Sequence, residues 1–162
     1  MKMILGKKKE KNNMKNHVSI SFDANSINES FARMVVAAFM ADMNPTLEQI
    51  CDVKTAVSEA VTNAIIHGYG GLEKQENNCP QVEMICDRNG VDLTIQIMDK
   101  GAGIENIKQA MEPFYTTKRE QERSGMGFAF MEAFMDELKV ESTPEKGTKI
   151  IMTKKILGGN EQ

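Results

Sequence analysis

No stretch of this chain stays apolar for the ~20 residues that a membrane-spanning helix needs, because charge interrupts every run within a few positions. A bilayer span is excluded on that ground, and a soluble protein is expected. The opening Met1-Lys2-Met3-Ile4-Leu5-Gly6 leads straight into Lys7-Lys8-Lys9. It lacks the apolar core and small-residue cleavage site of a secretory signal, so a cytoplasmic location is expected. Cys51, Cys79 and Cys86 are odd in number and have no C-x-x-C spacing, which argues against both a disulfide framework and a zinc site. No internal repeat is visible. The net charge of −3 conceals an asymmetry: residues 1–15 carry six lysines and one glutamate, and the remainder carries −8. An acidic body of this kind makes a poor nucleic-acid binder.

What is present suffices for one domain. At 162 residues, 41% of them hydrophobic, the chain can close a single core. Residues 1–16, rich in Lys and Asn, read as a disordered basic leader, with Met14 as a candidate start. Residues 157–162 form a short tail, which leaves 17–156 as the folded unit.

Within that unit Val18, Ile20 and Phe22 alternate with polar residues and mark a strand. Ser26-x-x-Glu29 reads as a capping box opening an amphipathic helix, with Phe31, Met34, Val35, Ala38 and Phe39 on its apolar face and an end near Met43. Thr46-x-x-Gln49 opens a longer helix whose apolar positions Ile50, Val53, Val57, Val61 and Ala64 recur until Gly68. Val82 to Cys86 and Val91 to Ile97 alternate on either side of Asn89-Gly90, a strong hairpin signal. Residues 104–124 are irregular and read as a mobile loop, with at most a short helix around Ile107 to Met111. A helix from Met126 to Met135 and two strands, Leu138 to Ser142 and Lys149 to Ile156, complete the pattern.

Three segments carry chemistry. On the long helix Glu59 and Asn63 are four apart and share a face opposite the apolar stripe. An Asn carbonyl suits Mg²⁺, which takes few protein oxygens, and a neighbouring carboxylate can accept a proton from an attacking hydroxyl. Alone, such a pair equally suits a solvated helix face. Asp99 ends the second hairpin strand, and a carboxylate there can accept from an exocyclic amino group such as adenine N6. Gly101 and Gly103 would let backbone approach the base, although an Asp opening an ordinary turn has the same appearance. Gly125-Met126-Gly127-Phe128 precedes a helix and would aim backbone N–H groups at phosphates, or serve as the hinge of the preceding loop. Thr116, Thr117, Lys118, Arg119 and Arg123 offer hydroxyls and cations beside it. Taken in order, the three segments describe a nucleotide site.

That order resembles the ATP-binding superfamily shared by gyrase, the heat-shock-90 chaperones, histidine kinases and the MutL mismatch-repair proteins. Val57 to Tyr69, Pro113 to Lys118 and Glu122 to Phe128 are more closely similar to the anti-sigma-F factors of endospore-forming bacteria, over roughly residues 14–156. The resemblance implies an α/β fold of the Bergerat type: a two-layer sandwich in which a mixed, mainly antiparallel sheet packs on helices. It further implies a homodimeric serine kinase that holds sigma factor F inactive when ATP-bound and phosphorylates an anti-anti-sigma antagonist on a serine. By the same resemblance Glu59 is the catalytic base and Asn63 the Mg²⁺ ligand. Asp99, Gly101, Gly103, Thr117, Lys118, Arg123, Gly125, Met126, Gly127, Phe128 and Thr148 contact ATP or ADP, and residues 104–124 form the ATP lid. Glu29 and Arg33 face partners, although a solvated helix face would look alike.

A histidine kinase is disfavoured, since His17 lies on the first strand and His67 ends the long helix, leaving no phospho-accepting module. The further domains that gyrase-like or chaperone motions require are not expected here. A stress-sigma regulator, or an ATP-gated binder without transferase activity, remains as the alternative.

Overall fold

The computed structural model describes residues 14–70, 79–115 and 125–158. Five strands and four helices follow in the order β1 (Lys15–Asp23), α1 (Ile27–Met40), α2 (Leu47–Asn63), β2 (Gln81–Asn89), β3 (Asp92–Met98), α3 (Ile107–Ala110), α4 (Gly127–Phe134), β4 (Glu137–Thr143) and β5 (Gly147–Lys155). The strands form one sheet in the order β1-β2-β3-β5-β4. All four ladders are antiparallel, so among the described residues the sheet contains no parallel pair and is not mixed. Strand β1 begins at Lys15, inside the stretch read as a disordered leader, because Lys15 and Asn16 pair with Asn89 and Arg88.

Alternation puts one face of the sheet against the helices. Val82, Met84 and Cys86 of β2, Leu93, Ile95 and Ile97 of β3, and Ile150 and Met152 of β5 are all buried, as the two-residue period of a half-buried strand requires. Burial pushes the Cys86 thiol up to about 12, with the neighbouring Asp87 charge adding to it. Arg88 continues the inward set and is buried, but its Nη1 meets Asp42 at 2.7 Å and its Nε donates to the Gly90 carbonyl at 2.9 Å. The two-residue turn of the β2–β3 hairpin is Gly90-Val91, since Asn89 pairs with Asp92. Gly90 takes φ 66° there, one residue along from the expected Asn89-Gly90 turn.

Helix α2 opens as expected: Gln49 N–H donates to Thr46 Oγ1 at 3.1 Å and Thr46 N–H to Gln49 Oε1 at 3.0 Å. A reciprocal cap of this kind stabilises by about 1 kcal/mol. Its buried residues are Val53, Ala56, Val57, Ala60 and Val61. At Ala64–Gly68 the helix widens into a π-turn, closed by a 3.1 Å bond from Tyr69 N–H to the Ala64 carbonyl.

Helix α1 departs from expectation twice. Ser26 caps nothing with its side chain, because its own backbone is already helical at φ −56° and ψ −27°, and Asn25 Oδ1 accepts from Ile27 N–H at 3.1 Å instead; the Glu29 carboxylate turns toward α2. The buried face is Ala32, Val36, Phe39 and Met40, while Phe31 and Met34 remain exposed. Phe31 still meets Phe22 edge-on, with ring centroids 6.2 Å apart. No described helix is long and apolar enough to cross a membrane.

Candidate functional site

The same alternation that buries Leu93, Ile95 and Ile97 turns the next odd-numbered residue, Asp99, toward the helix layer. Asp99 is only 9% exposed. Its backbone N–H extends the β3–β5 ladder by donating to the Thr148 carbonyl at 3.0 Å, and its Oδ1 accepts from Gly101 N–H at 2.9 Å. Burial pushes the carboxyl above the usual carboxylate range, while hydrogen bonds from the backbone of Gly101 and Thr148 pull it back down. A buried carboxylate with accepting capacity to spare calls for a donor.

Asp99 lies on a cavity of about 740 Å³, within the range of small-molecule sites. Asn63, Asp99, Gly103, Gly125, Gly127, Phe128 and Thr148, all expected in a nucleotide site, line it together. Glu59 joins them at the start of α4. A Cβ placed on Gly127 would stand 3.2 Å from Glu59 Oε2 and 3.3 Å from Asn63 Oδ1, so the two side chains converge there. Met126 supplies no side-chain cap to α4, and the first residues of that helix, Gly127 and Phe128, lie at the cavity edge.

Backbone packing also requires the glycines after Asp99. A Cβ on Gly101 would fall 2.0 Å from the Gly68 carbonyl oxygen, and one on Gly103 would fall 2.2 Å from that of Thr143. Gly101 therefore packs beneath the cavity as backbone against backbone, and only Gly103, at φ 71°, is part of its wall. Thr148 Oγ1 lies 2.8 Å from Ser142 Oγ.

Glu29 and Arg33 are away from the cavity, paired with each other and bonded to Ser58 and Thr62 of α2. Thr116, Thr117, Lys118, Arg119 and Arg123 lie outside the described residues, as does the 116–124 part of the lid. The described part, 104–115, contains α3, capped by Asn106 Oδ1 on Gln109 N–H at 3.1 Å. It contributes Ile104, Asn106 and Gln109 to the wall. A 3.0 Å bond from Phe114 N–H to the Gly125 carbonyl joins the described residues on either side of 116–124.

The lining residues that were missed include Gly68, His67 and Tyr69, in or next to the π-turn. The Tyr69 hydroxyl donates to the Gln81 carbonyl and accepts from Lys100 N–H, each at 2.7 Å, tying the end of the helix to both strands. The only signal for them was the Gly68-Tyr69 pair at the limit of the apolar period.

These residues fit a purine nucleotide with a divalent cation. Asp99 offers acceptors for an amino group, and Asn63 Oδ1 offers a neutral oxygen for a hard cation. No group of three or more His, Cys, Asp or Glu exists among the described residues, so a cation beside Asn63 would draw most of its ligands from phosphate and water.

A family model described as the histidine kinase-like ATPase domain matches residues 21–154, and that is the class the fold and cavity define. The chain is 57% identical over 143 residues to the anti-sigma F factor of Clostridium acetobutylicum, covering 88% of this chain and 96% of that one. It is 55% identical over 141 residues to that of Clostridium novyi, covering 87% and 95%. The chain belongs to the anti-sigma F factor family. The crystal structure of the RsbU and RsbW domains of a Mycobacterium tuberculosis protein is similar at TM-score 0.62 and 19% identity, over 87% of this chain and 32% of that one. At that identity the likeness is one of fold.

Proposed function

We propose that this chain is an ATP-dependent anti-sigma factor and protein-serine kinase of the cytoplasm. In its homodimeric, ATP-bound form it holds sigma factor F, and it transfers phosphate to a serine of an anti-anti-sigma antagonist, inactivating it. The observation that carries this reading is the convergence of Glu59 and Asn63 on Gly127, at one edge of the cavity that Asp99 enters, in a chain 57% identical to a protein named anti-sigma F factor.

Each residue then has a task. Asp99 accepts from the adenine amino group and rejects guanine, whose carbonyl oxygen would face a carboxylate. Asn63 holds Mg²⁺ through its carbonyl oxygen. Glu59 accepts the proton of the antagonist serine hydroxyl. The backbone of Gly125, Met126, Gly127 and Phe128 donates to phosphate oxygens, aided by Thr117, Lys118 and Arg123. Thr148 supports the adenine end. Mg²⁺, when bound, supplies charge neutralisation on the triphosphate and aligns it for in-line transfer. Glu29 and Arg33, each about one-third exposed, contribute to the partner surface.

The test is phosphoryl transfer from labelled ATP to the purified antagonist, with wild type and Glu59→Gln compared. ATP affinity should persist in the variant while transfer falls by about 10²-fold or more. Undiminished transfer would remove Glu59 from the reaction. Sigma-factor binding with no transfer by the wild type would reduce the protein to an ATP-gated binder.

A further inference from the structure

We infer that Glu29 is a positioning residue for the metal-binding turn of α2, acting through Ser58 and Thr62. This rests on the assignment of Asn63 and Glu59 above. The Glu29 carboxylate spans one helical turn of its neighbour: Oε1 accepts from Ser58 Oγ at 2.5 Å and Oε2 from Thr62 Oγ1 at 3.2 Å. Arg33 completes the cluster, its Nη1 bonding both Glu29 and Ser58 Oγ, the latter at 2.9 Å, and its Nη2 bonding Ser30 Oγ at 2.8 Å.

The residues held are not arbitrary. Ser58 directly precedes Glu59 and Thr62 directly precedes Asn63, so the two hydroxyls lie on one helix face and the two site residues about 100° further round. Helices α1 and α2 pack on one another, and their buried residues include the small and branched Ala32 and Val36 of α1 and Val57 and Val61 of α2. The hydrophobic effect behind that burial is non-directional, whereas a hydrogen bond depends on angle as well as distance. Two directional bonds to one carboxylate, a full turn apart, fix the rotation of α2 about its axis. That rotation decides where Asn63 Oδ1 and Glu59 Oε2 meet Gly127. The cluster is only partly exposed, about 30% at Arg33 and Glu29, so solvent leaves it directional.

The experiment uses the full chain and measures the ratio of ATP affinities with Mg²⁺ and with EDTA by calorimetry. Thr62→Val removes the hydroxyl at nearly constant shape, and it should reduce that ratio by roughly 10- to 100-fold, the order for partners that orient a metal ligand. Thr62→Ser should restore it. Glu29→Gln should reduce it as well, and the double variant should be little worse than either single one, because both break one linkage. Gln49→Ala, which removes the cap at the far end of α2, should lower the melting temperature and leave the ratio unchanged. A ratio unchanged in Thr62→Val and Glu29→Gln overturns the inference while the nucleotide assignment stands. Wild type that binds ATP no better with Mg²⁺ removes the Asn63 assignment and this inference together.

Discussion

Gly68 presents a bare Cα to the carboxylate of Asp99: a Cβ there would fall 2.8 Å from both Cγ and Oδ1 of Asp99. Gly101 crowds Gly68 from the other side, with a virtual Cβ 2.3 Å from the Gly68 carbonyl carbon. The π-turn, the end of β3 and the loop after it are thus packed closely together, and the Asp99 carboxylate and Gly68 share the cavity wall. Gly68→Ala should cost about 1–3 kcal/mol of stability through overpacking and, by displacing Asp99, weaken ATP binding. Melting and calorimetry on the same preparation check this. ATP affinity equal to wild type would show that Asp99 is held by its hydrogen bonds alone.

Asp99→Asn separates affinity from stability. Burial raises the Asp99 carboxyl, and a group so raised contributes stability that is full below its unfolded-chain value, about pH 4, and is lost as pH climbs through the folded value. In the absence of nucleotide, the Asn variant should therefore gain on the wild type as pH rises from about 4. At neutral pH it should bind ATP about tenfold more weakly, the difference between a charged and a neutral acceptor. Denaturant titrations between acid and neutral pH test the first half. A stability difference that does not grow with pH would mean that the carboxylate is not desolvated in the folded state.

The parts of this protein that sequence made legible are those set by local periodicity. Alternation located β2 and β3 to within a few residues and put Asp99 at the end of the second strand, and the same two-residue rule explains why the structure buries it after Leu93, Ile95 and Ile97. Thr46 and Gln49 capped α2 as read, because both partners belong to one turn. Glu29 failed as a cap for the opposite reason: its partners, Ser58 and Thr62, are supplied by tertiary structure. Helix α1 was misread by rotation. Phe31, Met34, Val35, Val36, Phe39 and Met40 nearly encircle it, so helical period alone does not choose the buried stripe. The π-turn at Ala64–Gly68 left no side-chain pattern at all, since it is a backbone bond one residue longer than the helical one.

Asn63→Ala isolates the cation. Asn63 Oδ1 is the neutral oxygen nearest the point where a Gly127 Cβ would stand, alongside Glu59. The variant should bind ATP equally with and without Mg²⁺, at an affinity near that of wild type in EDTA, because Asp99 and Thr148 lie elsewhere along the cavity and are untouched. Retained enhancement by Mg²⁺ would place the cation on another ligand.

Gly127→Ala reverses the balance seen at Gly68. Gly127 opens α4 with ordinary helical backbone, and alanine is a better helix former by up to about 1 kcal/mol. The added Cβ would meet only the flexible ends of Glu59 and Asn63, 3.2–3.4 Å away, and these can yield by a few tenths of an ångström. Stability should therefore remain within about 1 kcal/mol of wild type. The same small displacement moves the two groups to which the proposed transfer is assigned. Because a misplacement of about 1 Å can cost 10²-fold, a shift of a fraction of that should slow transfer to the antagonist by about tenfold, with ATP affinity in EDTA preserved. A variant that melts with wild type, binds metal-free ATP with wild type and still transfers at the wild-type rate would mean that the Glu59–Asn63 convergence at Gly127 is not where the chemistry is held.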